Sequence, residues 1–275
     1  MAELDLAREE LRELTSALVD ASGEPTETFG VYFVNPDDEA SQLPRHVERV
    51  VFEEWFGNSP ELLAAEYGPY EPSTIFIVVV DHRRRLPAGM GRVILPSELG
   101  FKTLHDIEAR WGQPLDDVLA RTGREWDMSQ AWDFATIAVM PDYRGKATDG
   151  LIMLSMLQTG SQGLIMTGGR FMICVLDVKV WQYFNATMYD AFTAYPDVPP
   201  IAYLDSPASI PTFVDFDWYG PHLHGEDGTT HQMLLHDAGI PPIVRGPDWE
   251  TLLRRAGRAP RPTAVGDGSY RAQAL

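Results

Sequence analysis

One stretch of the chain combines a turn that carries two cations with a strand before it and a helix after it. Residues 132–140 are apolar and rich in β-formers, Pro141 ends the strand, and an apolar stripe over 151–157 predicts a helix. The first N–H groups of a helix have no internal partner, and the helix dipole is positive there. Arg144 and Lys146 add positive charge in the turn. The pattern therefore predicts an anion site of the kind that binds phosphate.

The segment IAVMPDYRGKATDGL within this stretch resembles the acyl-CoA-binding motif of the GNAT acyltransferase superfamily. In that family a strand ends in V-x-P-x-Y-R-G-K-G-x-G, and the following helix holds the CoA pyrophosphate. The positions that match are Val139, Pro141, Tyr143, Arg144, Gly145 and Lys146. Two positions depart from the motif. Ala147 replaces the first glycine, and Asp149 replaces a second glycine or alanine.

The resemblance implies acetyl-CoA or a longer acyl-CoA as the donor, held by backbone amides of the turn and by its two cations. The donor-binding residues that it implies are Ala138, Val139, Met140, Arg144, Gly145, Lys146, Ala147, Thr148, Asp149 and Gly150, with Asn185 beside the pantetheine arm. Asp149 has two interpretations. Either it turns outward and N-caps the helix, or its charge makes the loop bind the donor weakly, differently or not at all.

Acyl transfer to an amine requires close approach of the reactants, a base for the ammonium proton and a donor for the oxyanion. Asp133 is the predicted base, because it stands where the family often has Glu; the alternative is a structural hydrogen bond at a strand start. A backbone amide within 138–140 is the predicted oxyanion donor. Tyr189 is the candidate that protonates the leaving thiolate, with Tyr183 and Tyr195 as competitors.

The elements that must position these residues follow from hydrophobic periodicity and turn residues. The expected order is helix 3–20, strand 28–34, helix 44–56, strand 74–80, strand 89–95, an insertion with helices at 103–111 and 115–122, strand 132–140, a helix from 151, a glycine-rich loop 160–169, strand 170–177, helix 181–194 and broken strands in 196–220. With the resemblance, this order predicts a mixed α/β (α+β) fold. Its central sheet is mostly antiparallel and flanked by helices, with an insertion before the fourth strand and a C-terminal extension.

We expect an N-terminal helix in 1–27, an acyltransferase domain in 28–220 with its insertion at 96–130, an extension in 221–256 and a flexible tail in 257–275. Such an insertion resembles the branch near acyl-homoserine-lactone and N-acyl amino acid synthases. That branch carries R-L-x-P-T and then W-E-x-S-R-F-x-V, and this chain has RVILPS from Arg92 and WDFATIAV from Trp132. Thr136 replaces the branch arginine, which argues against lactone synthesis itself.

Composition limits the partners and the compartment. The 275 residues carry a net charge of −18, which argues against nucleic acid and against an anionic membrane surface as partners. The hydrophobic fraction of 44% is enough for a sizeable core. Cys174, the one cysteine, excludes an internal disulfide and lies in an apolar run typical of a buried, inert thiol. No signal-peptide core or long apolar run is seen, so we expect a soluble, cytoplasmic protein.

Two clusters of basic residues lie outside the motif. The triplet Arg83–Arg85 is typical of a hairpin tip, and its alternative is a basic patch for an acidic carrier protein. Four of the seven histidines fall close together, at His222, His224, His231 and His236. Their spacing fits no familiar metal signature, so we expect no metal and a surface hairpin there, with a small role in the acceptor site as the alternative.

The leading hypothesis is an N-acyltransferase that moves an acyl group from acyl-CoA directly to the amine of a small-molecule acceptor. One alternative is an N-acyl synthase whose donor is an acyl carrier protein. Another is a catalytically degenerate binding or regulatory protein of the same fold, which the changes at Ala147, Asp149 and Thr136 favour. The last alternative is a metal-dependent enzyme that uses the C-terminal histidines.

Overall fold

The computed structural model describes residues 6–21, 27–148, 150–188, 190–218 and 244–245. The strands are β1 Phe29–Val34, β2 Thr74–Asp81, β3 Leu86–Ile94, β4 Ala131–Val139, β5 Phe171–Asp177, β6 Thr193–Ala194, β7 Ile201–Tyr203, β8 Ser206–Asp215 and β9 Val244–Arg245. The α-helices are α1 Arg8–Ala21, α2 Gln42–Phe56, α3 Pro60–Tyr67, α4 Lys102–Ala109, α5 Leu115–Arg121, α6 Leu151–Met166 and α7 Val178–Thr187.

The strands form one sheet, in the order β6-β8-β5-β4-β3-β2-β1-β9, with β7 paired to β8. Within the described part of the chain, the parallel neighbours are β4 with β5 and β1 with β9, and the other pairs are antiparallel. The predicted fold class, a mostly antiparallel central sheet flanked by helices, is confirmed.

Both faces of the sheet are covered, because β2 is apolar on each side of its pleat. Ile75, Ile77 and Val79 pack with α6 and α7 in one core cluster. Residues 76, 78 and 80 pack with α1 and α2 in a second cluster. A strand that is buried on both faces reads as a continuous apolar run, which is how TIFIVVV was interpreted.

The insertion packs as a third cluster at the end of the sheet where β4 begins. Leu104 and Ile107 of α4 and Val118 of α5 lie there with Ile94 and Phe171 of the sheet. The helices predicted at 103–111 and 115–122 are therefore found as α4 and α5, within two residues at each end.

The glycine-rich loop predicted at 160–169 is wrong, because α6 continues through it to Met166. Gly160 allows close packing of the helix on the sheet and does not form a turn. A Cβ built on Gly160 would lie 2.1 Å from the ring of Phe134 on β4, so only glycine lets the helix approach the sheet this closely. The helix predicted at 181–194 also ends earlier, at Thr187, after which the chain turns through Asp190 with φ of 55°.

Several predictions fall outside the described residues. These are Asp149, Tyr189, the four C-terminal histidines, the tail 257–275, and the extension 221–256 apart from the short strand β9. Across the described ranges, every helix is too short or too polar to cross a bilayer. In the same ranges, His, Cys, Asp and Glu side chains do not gather in groups of three or more that would hold a metal ion.

Candidate active site

The parallel strands β4 and β5 are bonded to each other over only three residues. Residues 131–133 pair with 171–173, after which β4 stays paired with β3 to Val139 and β5 stays paired with β8 to Asp177. Beyond Asp133, the edge of β4 that faces β5 therefore has no strand partner among the described residues. Apart from the carbonyl of Val139, which accepts from Arg144, backbone groups along that edge are available to an extended ligand, in the way a strand is added to a sheet.

A bulge interrupts β4 near the point where the two strands part. Arg92 is opposite Thr136 and Val93 is opposite Phe134, so Ala135 is an extra residue on β4. Bulges bend a strand and re-aim its backbone groups, and they are frequent next to active sites. The bulge lies before the segment 138–140 in which the oxyanion donor was predicted.

The amides of that segment face different sides of β4. The N–H of Met140 donates to the carbonyl of Ala88 at 2.9 Å, so it points toward β3. Because residues of an antiparallel pair alternate between facing the partner and facing away, Ala138 also points toward β3, whereas Ile137 and Val139 point toward the unpaired edge. Of the three amides in 138–140, that of Val139 is the one on the β5 side.

The loop between β4 and α6 presents unbonded backbone amides. Two short 3₁₀ turns, 141–143 and 145–147, lead to Gly150, which has φ of 79° and is the N-cap of α6. A glycine has no side chain to cap the helix. The amides of Gly145, Lys146, Gly150 and Ile152 make no hydrogen bond to any residue that the structure describes.

The two loop cations are arranged differently. Lys146 is exposed and makes no ion pair with the described residues. Arg144 is partly buried against α2: its Nε donates to the Val139 carbonyl at 2.7 Å, and its guanidinium lies 4.8 Å from the ring centroid of Trp55 and 3.6 Å from Glu54. Burial lowers the pKa of Arg144, with Glu54 opposing the change. Its buried Nη2 has no hydrogen-bond partner among the described residues.

This donor set fits a phosphate group. The unbonded amides, the exposed lysine and the unpartnered guanidinium nitrogen are all hydrogen-bond donors, and the N-cap of α6 has no side chain. A set of donors binds an anion and does not bind a cation. The residues that would hold the pyrophosphate of a CoA donor are Gly145, Lys146, Gly150 and Arg144.

Asp133 lies in the core rather than on the cleft wall. Its side chain is fully buried, and its two oxygens accept from the N–H and the hydroxyl of Thr103, each at 2.8 Å. Burial raises the pKa of Asp133 to about 7, against the lowering effect of the two bonds from Thr103. These contacts match the structural alternative, since the carboxylate holds the first turn of α4. Its role as a base stays a prediction.

The helix after β5 holds the other predicted side chains. The amide nitrogen of Asn185 donates to the carbonyl of Phe192 at 2.9 Å, and its oxygen accepts from the N–H of Phe192 at 2.9 Å. Asn185 therefore closes the connection from α7 to β6, and its contact with a donor remains a prediction. Of the two tyrosines named as competitors of Tyr189, Tyr183 is 53% exposed and Tyr195 is buried.

Sequence reasoning missed a buried ion cluster between α2, β3 and β4. Arg92 donates to both carboxylate oxygens of Glu48, at 3.0 and 2.6 Å, and to Glu71 at 2.8 Å. Thr136, at the position of the branch arginine, donates to Glu48 at 2.7 Å, and Arg45 also pairs with Glu71. Burial alone would lower the pKa of Arg92, but the two carboxylates raise it above its usual value.

A signal for this cluster was present in the sequence. Glu48 falls between Val47 and Val51 on the apolar face of α2, where a charge needs a buried partner.

The cysteine, in contrast, has no part in the site. Cys174 is buried, and burial raises the pKa of its thiol to about 12.

Comparison with known proteins places the fold. No protein-family model and no curated protein matches the sequence. A solved CoA-dependent acyl-homoserine lactone synthase, BjaI with MTA, superimposes with a TM-score of 0.53 at 16% identity, over 82% of this chain and 98% of that one. FeeM, an N-acyl amino acid synthase from uncultured soil microbes, gives 0.50 at 14% identity, over 72% of this chain and 95% of that one. The chain has the GNAT fold, as the motif predicted.

Proposed function

We propose that this chain is an N-acyltransferase that moves an acyl group from acyl-CoA directly to the amine of a small-molecule acceptor. One observation carries the proposal: the edge of β4 that loses its β5 partner after Asp133 leads directly into the loop with unbonded amides. An extended pantetheine arm suits the unpaired edge, and a pyrophosphate suits the loop. The two sites are consecutive along the chain, in the order that a CoA thioester requires.

The chain supplies binding and positioning for this reaction. The loop amides and Lys146 hold the phosphates, and the Val139 N–H faces the unpaired edge, where it would stabilise negative charge on an acyl carbonyl oxygen. The amine must lose a proton before it attacks, and Asp133 remains the proposed base. Because its carboxylate is buried, proton transfer to it would need a water or a local opening of the Thr103 contact.

One resemblance and the net charge of the chain favour an acyl-CoA donor over a carrier protein. The lactone synthase BjaI is described as CoA-dependent. The net charge of −18 repels an acidic carrier protein at long range, whereas a small anion responds to the local charge of the loop.

A non-catalytic binding protein of the same fold is the second candidate. The observation that favours it is Asp133, whose two oxygens are both occupied by Thr103. Such a protein would bind the donor through the same loop and would not turn it over.

Calorimetric titration of acetyl-CoA and a long-chain acyl-CoA tests the donor site. We expect both to bind, and Lys146→Ala to weaken binding about tenfold, since a charge-assisted contact to phosphate is lost. Arg121→Ala on α5 is the matched control, because it removes one positive charge at an exposed residue of the insertion, which pairs with Asp197 rather than with the loop. Failure of both thioesters to bind the unaltered chain would overturn the proposal.

An acceptor screen separates the two candidates. Amines are supplied with the donor that binds best, and release of free CoA thiol is measured with time. Amine-dependent thiol release supports the transferase. Tight donor binding without release for any class of amine supports the binding protein.

A further inference from the structure

Five arginines line an open cleft between α1 and the turn that joins β2 to β3. Arg8 and Arg12 come from α1, and the triplet Arg83–Arg85 forms the turn, with Glu9 and Asp142 as the carboxylates among the described lining residues. The cleft encloses about 710 Å³. We call it the arginine cleft.

The arginine cleft keeps a positive excess within a strongly acidic chain. Arg12 pairs with Glu9 at 3.4 Å, Arg84 with Asp81 at 3.7 Å and Arg85 with Asp20 at 3.0 Å. Such exposed pairs contribute little and exchange readily for another anion. Arg8 and Arg83 are exposed and make no ion pair with the described residues, so both guanidinium groups are open to a ligand. With Asp142 counted in the lining, the five arginines exceed Glu9, Asp20, Asp81 and Asp142 by one charge.

The arginine cleft adjoins the phosphate loop. The guanidinium of Arg84 lies 5.5 Å from the ring centroid of Tyr143, whose hydroxyl donates to Asp81 at 3.1 Å. Asp142, the neighbour of Tyr143 in the first 3₁₀ turn, lines the cleft itself. A ligand held by the loop amides therefore has the arginines within reach of its next charged group.

We propose that the arginine cleft binds the 3′-phosphate of the CoA donor. This inference rests on the proposed function and adds a second phosphate contact to it. CoA carries its pyrophosphate and a 3′-phosphomonoester on the same ribose, so a site for one places the other nearby. Guanidinium groups match the oxygens of a phosphate in pairs, and arginine is the residue type enriched here.

The surroundings of the arginine cleft favour a small phosphate over an acidic carrier protein. Its arginines come from two elements, α1 and the turn between β2 and β3, and the opening between them is wide. Beyond about 8 Å the charge of a site is largely screened at physiological salt, so a small anion that enters the cleft senses the arginines and not the acidic surface. A docked protein would also meet that surface.

Dephospho-CoA, which lacks only the 3′-phosphate, gives a direct test. We expect calorimetry to show CoA binding the unaltered chain about tenfold or more tightly than dephospho-CoA, with a preference that shrinks as salt is raised. The variant Arg8→Ala/Arg83→Ala should lose affinity for CoA, keep its affinity for dephospho-CoA and bind the two about equally. Arg121→Ala should retain the preference, and thermal melts confirm that each variant is folded.

The outcomes separate this inference from the proposed function. Equal binding of CoA and dephospho-CoA to the unaltered chain would overturn the inference and leave the donor site intact. Binding of neither ligand would overturn both. Tight binding of an acidic acyl carrier protein that is lost in Arg8→Ala/Arg83→Ala would reassign the cleft to protein docking and overturn the 3′-phosphate assignment.

Discussion

Asp133 on β4 and Thr103 on α4 are joined by two hydrogen bonds of 2.8 Å in the core, one from the backbone N–H and one from the hydroxyl of Thr103. Both residues are at most 3% exposed. The pair ties the first turn of α4, in the insertion, to the strand that leads into the loop between β4 and α6. A residue predicted as a base from sequence therefore also anchors the insertion to the sheet.

Asp133→Asn should flatten the dependence of stability on pH. Burial raises the pKa of Asp133 from 3.8 to about 7, so the folded state holds the proton more tightly than the unfolded state does. The contribution of this group to the free energy of unfolding is therefore fully present below pH 3.8 and is lost as the pH rises to about 7. Urea unfolding at several pH values should show the unaltered chain losing stability relative to Asp133→Asn over this interval.

Parallel pH profiles for the two proteins would contradict this assignment. Thr103→Val is the control, because it removes the hydroxyl bond and keeps the backbone N–H bond and the buried carboxylate. It should be less stable than the unaltered chain and should retain the pH dependence.

Glu48→Gln should destabilise the fold by about 3–5 kcal/mol, because the Arg92 guanidinium keeps its charge in the core with one carboxylate fewer. Denaturant unfolding measures the change. Glu9→Gln on α1 makes the same chemical substitution in an exposed pair with Arg12 and should change stability by less than about 0.5 kcal/mol. Equal effects of the two substitutions would show that the Glu48 pair is not buried as described.

Gly160→Ala should cost about 1–3 kcal/mol, because a methyl group at this position meets the Phe134 ring at 2.1 Å and forces α6 away from β4. Adding Phe134→Leu should recover part of the loss, and the double-mutant cycle gives the coupling. Gly68→Ala is the control, since a Cβ there has no neighbour within 4 Å. A Gly160→Ala variant as stable as the parent would place the helix further from the strand.

Asn185→Ala should lower stability by about 1–3 kcal/mol, since it leaves the N–H of Phe192 without its partner, while the carbonyl of Phe192 keeps the bond from the Trp181 indole N–H. Asn185→Asp keeps an acceptor for the N–H of Phe192, so its stability should lie between those of the unaltered chain and Asn185→Ala. Thermal melts rank the three proteins, and donor titration on the same samples tests the ligand role predicted for Asn185. An alanine variant with unchanged stability would remove the structural role.

The sequence predicted the elements well where local signals agree with the packing. The continuous apolar run of β2 indicated a strand buried on both faces, and Pro141 followed by the stripe from Leu151 indicated the turn and the start of α6. The insertion helices were predicted for the same reason. Gly160 misled the prediction, because its local preference for turns is overridden by the contact with Phe134, which lies 26 residues earlier.

The sequence by itself determined the order of the main strands and helices apart from α3, the turn between β4 and α6 and, through its motif, the fold. Periodicity, turn residues and helix termini act over a few neighbouring residues, and those are readable in a single chain. Only the tertiary structure decided that β4 and β5 part after Asp133, that Asp133 faces Thr103 and that Glu48 meets Arg92. These relations join residues 30 to 44 positions apart, and burial and pairing across that separation set their chemistry.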